Sequence, residues 1–161
     1  MCLPNHAAAV GGSMRAGYDE RNLGSDDLLG LWGPMPYTIL FVEDDDGVRA
    51  STEAILRNAG FRLLVASDAY EALRLLSGDK VDVLFTDIVM PDMDGVELAK
   101  RAKLLRPDLK IMFMTGYYSR AADAVMLKVG KLMYKPLREA QMVKELTSLV
   151  LRPSGTQPAA H

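Results

Sequence analysis

Four acids stand in a row at Glu43, Asp44, Asp45 and Asp46, directly after the apolar run Ile39, Leu40, Phe41 and Val42. Two carboxylates about 4 Å apart in a partly buried place repel by roughly 4 kcal/mol at an effective dielectric near 20, so such crowding requires something for the acids to hold. Three further reactive groups close apolar runs elsewhere: Asp87 ends "VDVLFTD", Thr115 ends "LKIMFMT", and Lys135 follows "KLMY" and precedes Pro136. Singly, each has an ordinary explanation. Asp45 and Asp46 suit a helix start, where acids satisfy free amides and the helix dipole. Asp87 suits the start of the turn "IVMPDMDG", with Asp92 or Asp94 capping the next helix; Thr115 suits a plain strand position and Lys135 a solvated tip. Together, two acids, a lone carboxylate, a hydroxyl and an ammonium at the ends of successive strands describe one chemical site.

The elements that must position them alternate along the chain. Strand candidates are "TILFV", "FRLLVAS", "VDVLFTD", "LKIMFMT" and "KLMY"; the first, third and fourth are nearly continuous apolar runs, as strands buried on both faces should be. Helical spacing follows each. Val48, Thr52, Ile55 and Ala59 fall on one face, as do Ala69, Leu73 and Leu76, then Val96, Ala99 and Ala102, and finally Ala140, Val143 and Leu146. Asn58-Ala59-Gly60, Ser77-Gly78 and Arg106-Pro107 punctuate the helix ends. Repeated βα units predict an α/β fold with a parallel sheet covered by helices on both faces and right-handed crossovers. Such sheets bind ligands at the carboxyl ends of their strands, where strand order reverses. That is where Glu43, Asp44, Asp87, Thr115 and Lys135 fall.

Composition narrows the function classes. The 161 residues, 49% of them hydrophobic, suit one compact domain with unstructured flanks. A formal net charge of −2 with scattered lysines and arginines offers no basic stripe, which disfavours direct DNA binding. The single cysteine, Cys2, allows neither an internal disulfide nor a cysteine metal cluster. No apolar stretch reaches the roughly 18 residues of a membrane span, and the N-terminus lacks a secretory pattern, so a soluble cytoplasmic protein is expected. Residues 1–36 carry six glycines and three prolines without periodicity and read as a flexible arm. Within it, Leu28, Leu29, Leu31 and Trp32 suit a segment folded over the domain edge or a partner-docking motif; a start of translation at Met35 would make the arm meaningless. Residues 152–161 read as a disordered tail.

The pieces "ILFVEDDDGVR", "VDVLFTDIVMPDMDGVEL", "IMFMTGY" and "YKP", in this order and at these separations, make residues 37–151 resemble the receiver domain of bacterial two-component response regulators, of the stand-alone CheY-like kind. The resemblance implies a flavodoxin-like (βα)5 three-layer sandwich with sheet order 2-1-3-4-5. It implies phosphorylation on the aspartate that closes strand three, Asp87, and places the family's acidic pair on Glu43 and Asp44. A hard divalent cation, Mg²⁺ with Mn²⁺ as its replacement, takes oxygen ligands and keeps several waters. Asp44 and Asp87 are its expected direct ligands, the backbone carbonyl of Val89 is the third by resemblance, and Glu43 acts through water. Asp87 would then attack the phosphorus of a phosphohistidine as a carboxylate nucleophile, Lys135 would pair with a phosphoryl oxygen, and the Thr115 hydroxyl would close on another. The family's peptide bond before Pro136 is cis.

Departures from the commonest receivers lie in the switch. The position three before the lysine, usually Tyr or Phe, is Leu132. Tyr134 shares a strand face with Leu132 by alternation, and Tyr117 and Tyr118 follow Thr115, so the aromatic reporter is either relocated among these or replaced, the tyrosines being ordinary core and loop residues. "FMTGYY" resembles the "FATGUY" signature of a subgroup of stand-alone receivers, with Met114 for its alanine and with Lys110 and Ile111 departing from the preceding Pro-Phe. By the resemblance, Val89 and Tyr117 occupy the two positions beside the path of hydrolytic water; neither a valine nor a tyrosine ring is expected to orient that water, so slow self-dephosphorylation is expected unless the Tyr117 hydroxyl itself reaches it.

Two rivals share part of this description. A flavodoxin would need a phosphate loop after strand one, where acids stand instead; an aspartate-nucleophile phosphohydrolase would need a second aspartate where Val89 sits. The expected role is therefore not an enzyme beyond its own phosphoryl transfer and dephosphorylation. It is a single-domain regulator fed by a sensor histidine kinase or a histidine phosphotransfer protein and acting through a downstream protein, as a monomer or a phosphorylation-dependent dimer. The alternative role is a phosphorelay intermediate or phosphate sink.

Overall fold

The structure is a computed structural model that describes residues 37–117 and 126–151. The arm with its Leu28 to Trp32 cluster, Tyr118 and the C-terminal tail lie outside these residues. Five strands form one parallel sheet: β1 (Thr38–Val42), β2 (Arg62–Ala66), β3 (Val83–Asp87), β4 (Lys110–Thr115) and β5 (Lys131–Tyr134), in the order β2-β1-β3-β4-β5. Four helices are described in full: α1 (Asp46–Asn58), α2 (Ala69–Gly78), α3 (Gly95–Leu105) and α4 (Glu139–Leu151).

Alternation along the strands divides the core in two. Leu40, Val42, Leu84, Ile111 and Phe113 point to one face and meet Ala72 and Leu76 of α2 and Leu98, Ala99 and Ala102 of α3. Ile39, Phe41, Val83, Phe85, Met112 and Met114 point to the other and meet Leu56 of α1 and Met142, Leu146 and Val150 of α4. Because both faces are covered, β3 is buried over its whole length, which explains why its sequence shows no polar alternation.

Two helical faces differ from the sequence reading. In α1 the fully buried residues are Thr52 and Leu56, with Ile55 at the margin, because two adjacent large aliphatic residues leave the face ambiguous by one position. In α4 the face runs through Met142, Leu146, Thr147 and Val150, and Ala140 is exposed; an alanine carries too little apolar surface to fix a helix's orientation.

The helix starts account for half of the acidic row. Asp45 caps α1, its carboxylate accepting from the Val48 amide at 2.8 Å, and Asp46 lies in the first turn, paired with Arg49. Asp68 caps α2 and Asp94, rather than Asp92, caps α3, each accepting at 2.8 Å from the amide three residues on. Asp92 instead takes a positive φ of 65° in the loop before α3. Gly60, at φ 88°, makes the turn from α1 into β2.

Candidate functional site

Register brings the reactive groups to one level. Val42 pairs with Thr86, so Glu43 follows β1 where Asp87 ends β3; Asp87 pairs with Met114 and Thr115 with Tyr134, so Thr115 and Lys135 follow in the next strands. Backbone bonds lock these ends together: the Ile88 amide donates to Met114 O at 3.0 Å, and the Lys135 amide to Thr115 O at 2.8 Å. The Lys135–Pro136 peptide is cis.

Glu43 and Asp87 are buried, 1% and 6% exposed, while Asp44 opens to solvent. One ligand oxygen from each of the three lies within 4.8 Å of the others. The Lys135 ammonium donates to Glu43 Oε2 at 2.8 Å and to Asp87 Oδ2 at 2.5 Å. Burial raises the Glu43 carboxyl above its usual range against the pull of the lysine. For Lys135, burial works against the charge, but the hydrogen bonds to Asp87 and Glu43 prevail and hold its pKa above that of an ordinary lysine. The three carboxylates lie close together and the Lys135 ammonium pairs with two of them, so when ionised they outnumber it, in a crevice open on the Asp44 side. Hard oxygen donors with excess charge and solvent access suit a divalent cation that keeps part of its water shell. The residues fit such an ion.

Asp87 itself is held from several sides. Its Oδ1 accepts from the Val89 amide at 3.1 Å, and its carbonyl accepts from the Thr86 hydroxyl at 2.8 Å. Gly95, first residue of α3, packs so closely that a Cβ there would stand 2.1 Å from Asp87 O. Any side chain at that position displaces the loop carrying the nucleophile candidate. The "DG" that opens α3 was the sequence signal for this contact, though as read it announced only a helix start.

Thr115 is buried at the crevice edge, and its hydroxyl accepts the Tyr117 amide at 3.1 Å, so in this state it serves its own loop. Tyr117 and Val89 are 71% and 65% exposed. Leu132 is partly buried against the core face shared with Met126, and Tyr134 stands partly exposed at the domain surface. Arg49 is the residue whose part here the sequence reading missed. Its guanidinium reaches back from α1 to the carbonyls of Glu43 and Asp44.

A family model described as the response regulator receiver domain matches residues 39–147. The chain belongs to that family. Among receivers it is 36% identical over 115 residues to the response regulator receiver protein CpdR of Brucella abortus, covering 70% of this chain and 96% of that one. It is also 38% identical over 82 residues to the sensor kinase CckA of the same organism, which is 50% of this chain but 9% of the kinase. Among solved structures, a putative response regulator from Chloroflexus aurantiacus superposes with a TM-score of 0.68 at 30% identity, over 73% of this chain and all of the other. A CheY-like receiver domain protein from Methanospirillum hungatei superposes with a TM-score of 0.67 at 30% identity, over 71% and 93%. The receiver fold, with its sheet order 2-1-3-4-5, is therefore shared by sequence and by shape. No helix among the described residues is long and apolar enough to cross a membrane.

Proposed function

We propose that this receiver accepts a phosphoryl group on Asp87 from a phosphohistidine of a sensor histidine kinase or phosphotransfer protein, and signals through a protein partner. The observation that carries the reading is the buried Asp87 carboxylate held at 2.5 Å by Lys135 beside Glu43 and Asp44. A carboxylate oxygen of Asp87 forms the new P–O bond as the P–N bond to the histidine breaks, and the imidazole leaves with its electron pair. Lys135 gives up Asp87 Oδ2 and takes a phosphoryl oxygen, so the same ammonium stabilises the carboxylate before transfer and the phosphoryl charge after it. Asp44, Asp87 and the Val89 carbonyl would hold Mg²⁺, with Glu43 bound through water. When bound, Mg²⁺ supplies the positive charge that allows an anionic phosphoryl group to enter a crevice of carboxylates.

Thr115 reports the event by exchanging the Tyr117 amide for a phosphoryl oxygen, which moves the loop after β4. With Leu132 in place of an inward-swinging aromatic, the change passes to the surface through that loop. The exposed residues Val89, whose amide donates to Asp87, and Tyr117, whose amide donates to Thr115, offer no carboxylate or carboxamide to orient water, which supports slow self-dephosphorylation.

The test is phosphoryl labelling by a small phosphodonor with and without Mg²⁺. Wild type labels only with the metal, and Asp44→Asn fails to label at ordinary Mg²⁺ concentrations. Thr115→Ala still labels but loses the difference in partner capture between the free and the beryllofluoride-treated protein. Labelling at full rate in the presence of a chelator overturns the metal-dependent reading.

A further inference from the structure

The acidic pair sits on a turn between β1 and α1, and one side chain spans that turn. Arg49 leaves the second turn of α1 and folds back toward the helix N-terminus, the direction in which helical side chains lean. Its Nη1 donates to Glu43 O at 3.0 Å and, more weakly, reaches Asp44 O at 3.4 Å, while Nη2 pairs with Asp46. The side chain is only 21% exposed. A cation over a helix N-terminus is placed against the helix dipole, which the pair with Asp46 offsets, but that pair does not itself require the contacts to the Glu43 and Asp44 carbonyls. What it gains is the fork: a planar guanidinium holds two points at once, which an ammonium cannot.

We infer that Arg49 is a positioning residue for the cation site, fixing the backbone of Glu43 and Asp44 so that their carboxylates face Asp87. The inference rests on the reading of these acids as a Mg²⁺ site. Asp44 is the exposed member of the three, and β1 ends before it, the last ladder bond at that end being the long Glu43 amide to Ala66 O contact at 3.3 Å. Beyond it, the guanidinium ties the carbonyls of both acids to α1. Without that tie, the turn keeps the Asp45 amide to Glu43 Oε1 contact at 3.3 Å, and exposed Asp44 is the acid whose position is left less fixed.

Charge and geometry make opposite forecasts, which makes the inference testable. If Arg49 acted only as a nearby positive charge, a neutral replacement would tighten the binding of a divalent cation. If it positions ligands, the neutral replacement weakens binding, by about tenfold or more, as loss of an outer-shell support does elsewhere. The experiment is calorimetric titration of the full chain with Mg²⁺, alongside thermal melting in metal-free buffer, for wild type, Arg49→Met and Arg49→Lys. The methionine keeps the apolar stem, so the fold is retained. The expected result is a weakening of about tenfold for Arg49→Met, and for Arg49→Lys a smaller weakening, since it restores charge and one hydrogen bond but not the fork. Unchanged or tighter binding in Arg49→Met overturns the inference, as does full rescue by lysine, which would show that one ammonium donor suffices and that the guanidinium fork does not hold the acids in place. If wild type itself binds no Mg²⁺, the metal-site reading fails instead, and Asp44→Asn, which removes a ligand, would then match wild type.

Discussion

The two ends of the sheet use charge in opposite ways. At the amino ends of the strands, Asp82 accepts the Thr38 amide at 2.8 Å and Lys110 donates to Val150 O at 3.1 Å, so each charge closes a backbone group that a strand or helix end leaves open. At the carboxyl ends, ligand oxygens of Glu43, Asp44 and Asp87 lie within 4.8 Å of one another, and the Lys135 ammonium pairs with Glu43 and Asp87. The first arrangement is complete in the protein alone. The second carries surplus negative charge, an arrangement that suits a cation from outside.

The sharpest way to break this comparison is to neutralise one acid at each end. Asp87→Asn should abolish labelling by a small phosphodonor with Mg²⁺ present, whereas Asp82→Asn should label at the wild-type rate. Equal labelling by both would erase the distinction. Stability should answer in the reverse sense: Asp82→Ala leaves the Thr38 amide without its acceptor and should cost about 1–3 kcal/mol in urea denaturation. Removing the Asp87 charge in metal-free buffer relieves repulsion with Glu43 even as it weakens the Lys135 contact, so its cost should be the smaller.

The two lysines sharpen the contrast through pH. Lys135 has its pKa held above the ordinary 10.5, because the hydrogen bonds to Asp87 and Glu43 outweigh burial. The folded chain binds that proton more tightly than the unfolded one, so the contribution is complete below 10.5 and is lost as pH rises through the folded value. Lys110 goes the other way: burial lowers its pKa and Asp82 only partly opposes this. Stability therefore gains from Lys110 deprotonation as pH rises through the lowered value toward 10.5. Metal-free denaturation across the alkaline range should show Lys135→Met losing an alkaline decline and Lys110→Met losing an alkaline gain, each relative to wild type. The same sign for both would contradict the assignment.

The smallest expected effect concerns the exposed residues Val89 and Tyr117. Val89→Asn should speed phosphoryl loss under saturating Mg²⁺ by a few-fold, since a carboxamide can hydrogen-bond the attacking water. Tyr117→Ala should speed it if the ring screens the phosphorus. If neither changes the rate, these side chains do not gate hydrolysis.

Most of the site was legible because each of its groups ends an apolar run, and a buried strand leaves few other places for a polar residue. Asp87, Thr115 and Lys135 were read in that way, and the sheet that joins them follows from the same runs. Arg49 was not legible: an arginine among polar residues on an early helical turn reads as a solvated charge, and only the fold-back of its side chain reveals the contacts. The face of α4 was misread at Ala140 for a related reason. Small side chains fit either environment, so Met142 and Val150, which carry the apolar area, decided the orientation.

The central claim is that Asp87 is the phosphoacceptor and that its chemistry depends on the neighbouring acids holding Mg²⁺. An acyl phosphate is reduced by borohydride to the corresponding alcohol, so treatment after labelling marks the acceptor aspartate permanently as homoserine, which peptide mass analysis locates. The account predicts homoserine at position 87 when labelling is done with Mg²⁺ and none when a chelator is present. Homoserine at Asp44 or Asp82 with Asp87 intact, or at position 87 in equal yield without the metal, would contradict it.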